Sequence, residues 1–330
     1  VLIRSDMDAL PVAEQTGLPY ASTTNGVMHA CGHDIHMTTL LGTAKMLADL
    51  KSQWHGTVML VGQPAEEVVA GAAGMMRDNL YQRFGTPDYA VALHDSPLVA
   101  TGQVGVISGY MMASSDSVNV TIRGVGGHGA SPQNTKDPVV IASEFVVALQ
   151  TIASRERSPL DPVVVTVGYF HAGTKRNIIP DDAKLQLTVR TYKPDVRARV
   201  LESIRRIANG IAMAAGAPEP LIEEVTTEHA DASYNDPALA TRLAGALRKG
   251  LGDKEVVDMA PLMVSEDFNR FSAGGKIPAV MFHLGAADPE KLASGATIPG
   301  LHSSGFAPVA EPTIRTGVKA MTTMAMELLK

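Results

Sequence analysis

Residues 26–37, Gly26-Val27-Met28-His29-Ala30-Cys31-Gly32-His33-Asp34-Ile35-His36-Met37, hold three histidines, an aspartate and the chain's one cysteine. A solvated loop has no need of so dense a set of soft and borderline donors, so this stretch asks for a metal. Cys31 and His33 flank a single glycine. A thiolate and an imidazole so spaced can turn toward one centre where the backbone is extended or tightly turned. A thiolate also favours zinc-like ions over calcium or magnesium. The blander reading is a small buried thiol near histidines. Residues 37–50 place Leu40, Leu41, Ala44, Leu47 and Ala48 at helical spacing, so the cluster is expected where a loop enters an amphipathic helix.

The chain has 330 residues, 45% hydrophobic and 19% charged, enough for more than one core, and two domains are expected. A net charge of -6 without a basic run argues against a nucleic-acid partner. One cysteine rules out an internal disulfide. A reducing compartment suits that composition, and a cytoplasmic location is the expectation. The sequence opens on the apolar Val1-Leu2-Ile3-Arg4 with no charged leader or signal core. No run is expected to span a bilayer, so no membrane partner is expected.

Along the chain, strand ends carry ligand-type side chains. Residues 1–3 read as a buried strand leading to Asp6 and Asp8, at the strand end where α/β sheets bind ligands. Residues 56–62 read as a second strand that runs into Glu66-Glu67. Adjacent glutamates leaving a strand point differently, so one can ligate a metal while the other faces an attacking water. A solvated acidic pair at a helix start is the plainer alternative. A third strand, 89–93, is expected to end at His94-Asp95, and a loop between the last strand and last helix holds His302.

From about residue 112 the texture changes to polar–apolar alternation, as in a half-exposed antiparallel strand. A glycine-rich turn around His128 follows, then a helix over 138–154 with Asp137 as cap and Pro138 at its first position. Strands at 163–171 and 184–191 and a helix at 195–214 complete a β-α-β-β-α unit of the split βαβ kind, inserted between parallel-sheet elements. The chain then returns to the first sheet, with a strand at 221–225 among its elements. The expected fold is α/β: a doubly wound mixed sheet over 1–112 and 218–330, interrupted by a ferredoxin-like α+β insert over 113–217. A Cys-His hydrolase would leave His33 and Glu66-Glu67 without work, and residues 124–129 lack a phosphate-loop ending. A non-catalytic oligomer closed by a structural metal is the rival from another class, but it calls for four ligands and no open position.

Taken together, Asp6-Met7-Asp8-Ala9-Leu10-Pro11, His29-Ala30-Cys31-Gly32-His33-Asp34-Ile35-His36, Gln63-Pro64-Ala65-Glu66-Glu67, Gly127-His128-Gly129-Ala130-Ser131-Pro132, Asn177-Ile178-Ile179-Pro180-Asp181 and Leu301-His302-Ser303 resemble one family in order and spacing. It is the dinuclear metallopeptidase family of aminoacylases, hippurate hydrolases and indole-acetyl-amino-acid hydrolases, in the branch with a cysteine among the ligands. The resemblance spans essentially the whole chain. It implies a zinc-exopeptidase-like catalytic domain and an inserted lid and dimerisation domain. It further implies two divalent metal ions, zinc or manganese, with cobalt or nickel as other choices, held by Cys31, His33, Glu67, His94 and His302. Glu66 would be the general base activating a metal-bridged water, and Asp8 would orient a ligand. His128 would steady the oxyanion in a partner subunit's site, and Asn177 and Arg190 would contact substrate. The implied activity is release of an amino acid from an N-acyl amino acid, with a carboxypeptidase or dipeptidase as the alternative. The implied assembly is a homodimer through the inserted domain. Such proteins usually carry a further helix and strand ahead of the region matched by Val1.

Overall fold

Strand β1 (Leu2–Asp6) is buried at every residue, and its neighbours explain why. On its two sides β2 (Met59–Gln63) and β3 (Ala90–Ala100) pair with it in parallel. A central parallel strand lies between layers of helix, so both of its faces are covered, and here even Arg4, Ser5 and Asp6 are buried. The computed structural model describes all of residues 1–330. Two units make up the chain: Val1–Met111 with Ser233–Pro261 and Asp267–Lys330, and Met112–Ala232 with Leu262–Glu266.

In chain order the first unit supplies α1 (His33–Asp49), α2 (Gly71–Arg77), α3 (Leu80–Phe84), β4 (Val104–Val106) and β5 (Gly109–Met112). The second unit follows with β6 (Asp116–Arg123), β7 (Gly127–His128), α4 (Pro138–Arg155), β8 (Val163–Ala172), β9 (Ile178–Ile179), β10 (Asp182–Thr191), α5 (Pro194–Ala214) and β11 (Leu221–Glu224). The first unit then resumes with β12 (Ser233–Asn235), α6 (Pro237–Leu251), β13 (Val256–Asp258), β14 (Ala279–Ala287), α7 (Pro289–Ser294) and α8 (Ala310–Leu328). Its six-stranded sheet has the order β13-β4-β14-β3-β1-β2. The pairs from β14 to β2 are parallel, while β4 is antiparallel to β14, so the sheet is mixed. Ile3, Val91, Leu93, Val280, Phe282 and Leu284 project from it into a core closed by Leu47, Leu243, Met321 and Met324. Each such side chain contributes about 1.5–3 kcal/mol by leaving water.

The second unit is a four-stranded antiparallel sheet, β11-β6-β10-β8, under two helices. Alternation along β6 sends Val118, Val120 and Ile122 inward, against Phe145 and Leu149 of α4 and Ile204 of α5. Asp137 caps α4 by accepting from the Val139 amide at 2.9 Å, with Pro138 at the first position.

Several boundaries differ from the sequence expectation. The strand expected to belong to the first sheet at 221–225 is β11, at the edge of the second unit's sheet on β6, so that unit extends to Ala232 and not to 217. Its short, half-exposed pattern suits an edge strand, and nothing in 221–225 distinguishes one sheet from the other before pairing is known. Helix α1 starts four residues earlier than expected, because Gly32 takes a left-handed turn (φ 74°) and its carbonyl accepts from the Ile35 and His36 amides. Strand β3 runs on through His94 to Ala100 instead of ending before it. One helix, α4, is long and apolar enough to cross a membrane by length and composition, against the expectation of none. Its apolar count is high because Ile141, Phe145, Leu149 and Ile152 fill the core while Val140 and Val147 are exposed.

Candidate metal centre

Four pieces of backbone bring the donors together. The left-handed turn at Gly32 presents Cys31 and starts α1 on His33; β2 ends in a loop carrying Glu66 and Glu67; β3 carries His94; and the 300–305 loop carries His302. Three positions in this scaffold are non-glycine residues in the left-handed region, Ala65 (φ 56°) and Val69 (φ 55°) in the loop after β2 and His302 (φ 65°). Such strain persists only where surroundings hold it, and it concentrates at functional sites. His302 is held there by its amide, which donates to the Ala30 carbonyl at 2.7 Å.

The donors form overlapping groups. Cys31, His33 and His94 have ligand atoms within 4.8 Å of one another; so do Cys31, Glu67 and His302, and so do His33, Glu66 and Glu67. Cys31 is therefore common to two trios, and Glu66 sits beside both. Individual spacings agree: Cys31 Sγ to His94 Nε2 is 3.6 Å, His302 Nε2 to Glu67 Oε2 is 3.2 Å, and His33 Nε2 to Glu66 Oε2 is 3.9 Å. Cys31, His33, Glu66 and His94 are buried.

Whether divalent ions fit is tested by what the donors lack. His33 Nε2, Glu67 Oε1, Asp95 Oδ2 and Asp8 Oδ1 are buried side-chain atoms with no hydrogen-bond partner. Buried polar atoms are nearly always paired, and His33 Nε2 and Glu67 Oε1 stand 4.0 Å apart without pairing. Both are donor atoms that a divalent cation would satisfy. Burial, then the charges of Glu67 and Asp95, pushes the Cys31 thiol up. That environment is hostile to a free nucleophilic thiolate, and it suits a sulfur that loses its proton to a metal. The donor set fits the pair of ions.

Around the donors lies a second ring of charges. Asp8 orients His33 through its backbone: its carbonyl oxygen is 2.9 Å from His33 Nδ1, while its carboxylate accepts from the Glu67 amide at 3.0 Å. The sequence reading gave no role to Arg4, His36, Asp95 and Asp267, and it placed Asp6 only at a ligand-binding strand end. His36 is fully buried with Nδ1 2.5 Å from Asp6 Oδ1 and Nε2 3.1 Å from Asp95 Oδ1. Burial opposes its charge, but Asp6 and then Asp95 outweigh it and push the ring up to about 10. Asp6 in turn accepts from Arg4 Nη1 at 2.7 Å, and Arg4 reaches Gln63 and Asp267. Burial works against the Asp6 carboxylate, yet Arg4 and His36 hold it well below the usual range. His36 was legible only from its place three residues after His33, once α1 is known to begin there.

The remaining expected residues lie in the second unit. His128 on β7 pairs with Ile178 on β9, and the Asn177 carbonyl accepts from the Gly129 amide at 2.9 Å, so His128 and Asn177 are brought together. His128 is exposed. Arg190 is not brought to them. It lies near the far end of β10, roughly 25 Å of strand beyond β9, where its guanidinium donates to Ser115 Oγ.

Comparison with known proteins places the chain in a family. A sequence profile of Peptidase family M20/M25/M40 matches residues 2–327. A hippurate hydrolase of Campylobacter jejuni is 40% identical over 270 residues, 82% of this chain and 69% of the relative. An N-acetylcysteine deacetylase of Bacillus subtilis is 41% identical over 217 residues, 66% of this chain, and the match spans only 56% of that relative's length. Among solved structures, the YXEP protein of Bacillus subtilis, described as a dinuclear metal binding peptidase from the M20 family, superposes with a TM-score of 0.82. It is 30% identical and covers all of this chain and 81% of its own.

Proposed function

We propose, from the premise that this chain belongs to peptidase family M20/M25/M40, that it is a metal-dependent amide hydrolase releasing an amino acid from an N-acyl amino acid. The observation that carries the reading is the pair of donor trios sharing Cys31, with the Glu66 carboxylate beside both. Cys31, His33, Glu67, His94 and His302 would hold two divalent ions, and their mixed sulfur, nitrogen and oxygen donors suit zinc or manganese. When bound, such ions polarise the amide carbonyl and acidify a water.

Glu66 is the proton carrier in this reading. It leaves β2 one residue before Glu67, so one carboxylate can face the ions and its neighbour the reacting atoms. Its carboxylate takes the proton of the attacking water and returns it to the leaving nitrogen, which departs as the amine of the free amino acid. Asp8 keeps His33 in one tautomer and orientation. Burial of Cys31, His33, Glu66 and His94 strengthens the contacts they make, while His302 stands exposed at the edge of the cluster.

His128 would steady the oxyanion in a partner subunit's site, and Asn177, beside it on the second unit, would contact substrate. For the homodimer, support comes from β8: it is an edge strand of its sheet with exposed Tyr169 and Phe170, and such an edge pairs readily with its own copy. The deciding experiment is a panel of N-acetyl, N-benzoyl and dipeptide substrates run on wild-type and Glu66→Gln protein reconstituted with one ion at a time. Glu66→Gln should keep its metal and lose most turnover, about 10²–10⁴-fold for a general base. A Glu66→Gln protein with near wild-type activity sinks the assignment, and cleavage of dipeptides in preference to N-acyl amino acids makes the chain a peptidase.

A further inference from the structure

His33 rides on α1 and His94 on β3, and no covalent geometry fixes the distance between those elements at their shared end. One side chain outside the donor set spans it. His36 lies one turn along α1 from His33, on the same face of the helix, and it is buried. Its ring centroid is 5.4 Å from that of His33 and 4.9 Å from that of His94, nearly edge-on to the latter at 68°. Nδ1 reaches Asp6 at the end of β1, and Nε2 reaches Asp95 on β3, at 2.5 and 3.1 Å. We propose that His36 is a positioning residue: a cross-brace that ties α1 to β1 and β3 and so fixes the spacing of His33 and His94. This rests on the reading above that the cluster holds divalent ions.

Two observations set this brace apart from an ordinary satisfied core histidine. First, its footings are themselves fixed. Asp6 is held by Arg4, Arg4 Nε donates to Gln63 Oε1 at 2.8 Å, and Gln63 Nε2 donates to Asp267 Oδ1 at 2.6 Å. Asp267 accepts a further bond from the Ala72 amide at 3.0 Å, so the chain of bonds ends on the helix that follows the Glu66-Glu67 loop. Second, the link to Asp95 survives in either form of Nε2. As N–H it donates to Oδ1; as a bare nitrogen it accepts from the Asp95 amide, 2.9 Å away. The brace is thus geometric and needs no change of protonation. Asp95 carries the load onward, because its backbone carbonyl lies 2.7 Å from Nδ1 of His94. Moving Asp95 therefore turns the His94 ring.

The test compares His36→Ala, His36→Gln and a control, Leu47→Ala, which opens the core under the same helix away from the cluster. Zinc affinity is read by competition with a chromogenic chelator, and donor geometry by the visible absorption of the cobalt-loaded protein. Removing a residue that orients ligands costs 10–100-fold in metal affinity. His36→Ala should fall in that range with an altered cobalt band, and His36→Gln, which keeps one of the two bonds, should lie between it and wild type. Leu47→Ala should lower the melting temperature yet keep wild-type affinity and spectrum. Affinity within twofold of wild type and an unchanged band in His36→Ala would overturn the proposal, as would equal losses in Leu47→Ala. Should His36→Ala not fold, His36→Gln and the isosteric Asp95→Asn decide by the same two readouts. Failure of the functional reading is distinguishable, since it would show in the wild-type protein as no ion bound at all.

Discussion

Gly32→Ala is the sharpest single perturbation of this structure, and Gly26→Ala is its matched control. Both glycines have φ of 74°, so a methyl group at either meets the same left-handed penalty of about 1–2 kcal/mol. They differ in what the methyl would touch. Around Gly26 nothing lies within 4 Å, whereas at Gly32 the new carbon would stand 2.4 Å from both carboxylate oxygens of Asp95. Relief to an ordinary contact requires the carboxylate to move by about 1 Å, which breaks its 3.1 Å link to His36. A buried polar group left unpaired costs about 1–3 kcal/mol. Gly32→Ala should therefore cost about 2–5 kcal/mol against about 1–2 for Gly26→Ala, and the difference isolates the Asp95 contact. For a unit of this size that corresponds to melting temperatures separated by several degrees, on the order of 2–4 °C per kcal/mol. Differential scanning calorimetry of both variants with metal and after chelation reads it directly. Equal melting temperatures for the two variants would refute the claim that Gly32 is required by the approach of Asp95.

Cys31→Ala should lose metal from both sites, because Cys31 belongs to both donor trios; elemental analysis returning a full complement of ions would contradict that sharing. In the second unit, His229 bonds to Asp116 at 2.9 Å and Asp231 at 3.0 Å, and those bonds, Asp116 first, push it up to about 9. A histidine raised from an ordinary 6.5 stabilises fully below about 6.5, and the contribution is lost as pH rises through about 9. The raw shift is discounted for the partial exposure of the ring, leaving about 1–2 kcal/mol. Wild-type denaturant midpoints should therefore fall between pH 6.5 and 9 more steeply than those of His229→Gln, and parallel curves would refute the coupling.

Metal chemistry was legible in the sequence because donors are rare residue types and sit at strand ends and in short motifs. Cys31, His33, Glu66-Glu67 and His302 needed no partner to be noticed. What stayed invisible was the pairing of residues across the fold. Asp6 differs from Asp8 only in that Arg4 and His36 meet it. Asp267 lies 263 residues from the arginine it bonds, and no local pattern announces that. The insert's β-α-β-β-α order came from alternation and helix capping, which are local signals. The membership of β11 did not, since an edge strand is defined by the neighbour it finds.

The charge in the first unit's pocket argues that the ions belong to the fold as well as to the chemistry. Asp6, Asp8, Glu66, Glu67 and Asp95 bring five carboxylates into one region with at least three of them buried, and the Arg4 guanidinium and the histidines stand against them. Like charges in low dielectric repel strongly, and burying them unpaired costs several kcal/mol each. The native sheet nevertheless places them there, on β1, β3 and the loop after β2. Divalent ions held by these donors would supply the missing positive charge, and His33 Nε2 and Glu67 Oε1 are the buried atoms left without partners for them. The Arg4-Asp6-His36-Asp95 chain carries much of the rest of the balance through bonds made to one another. In this arrangement Arg4 and His36 together face Asp6 and Asp95 from behind while the donors are left free in front, which is the division a metal pocket needs if it is to exist before its metal arrives.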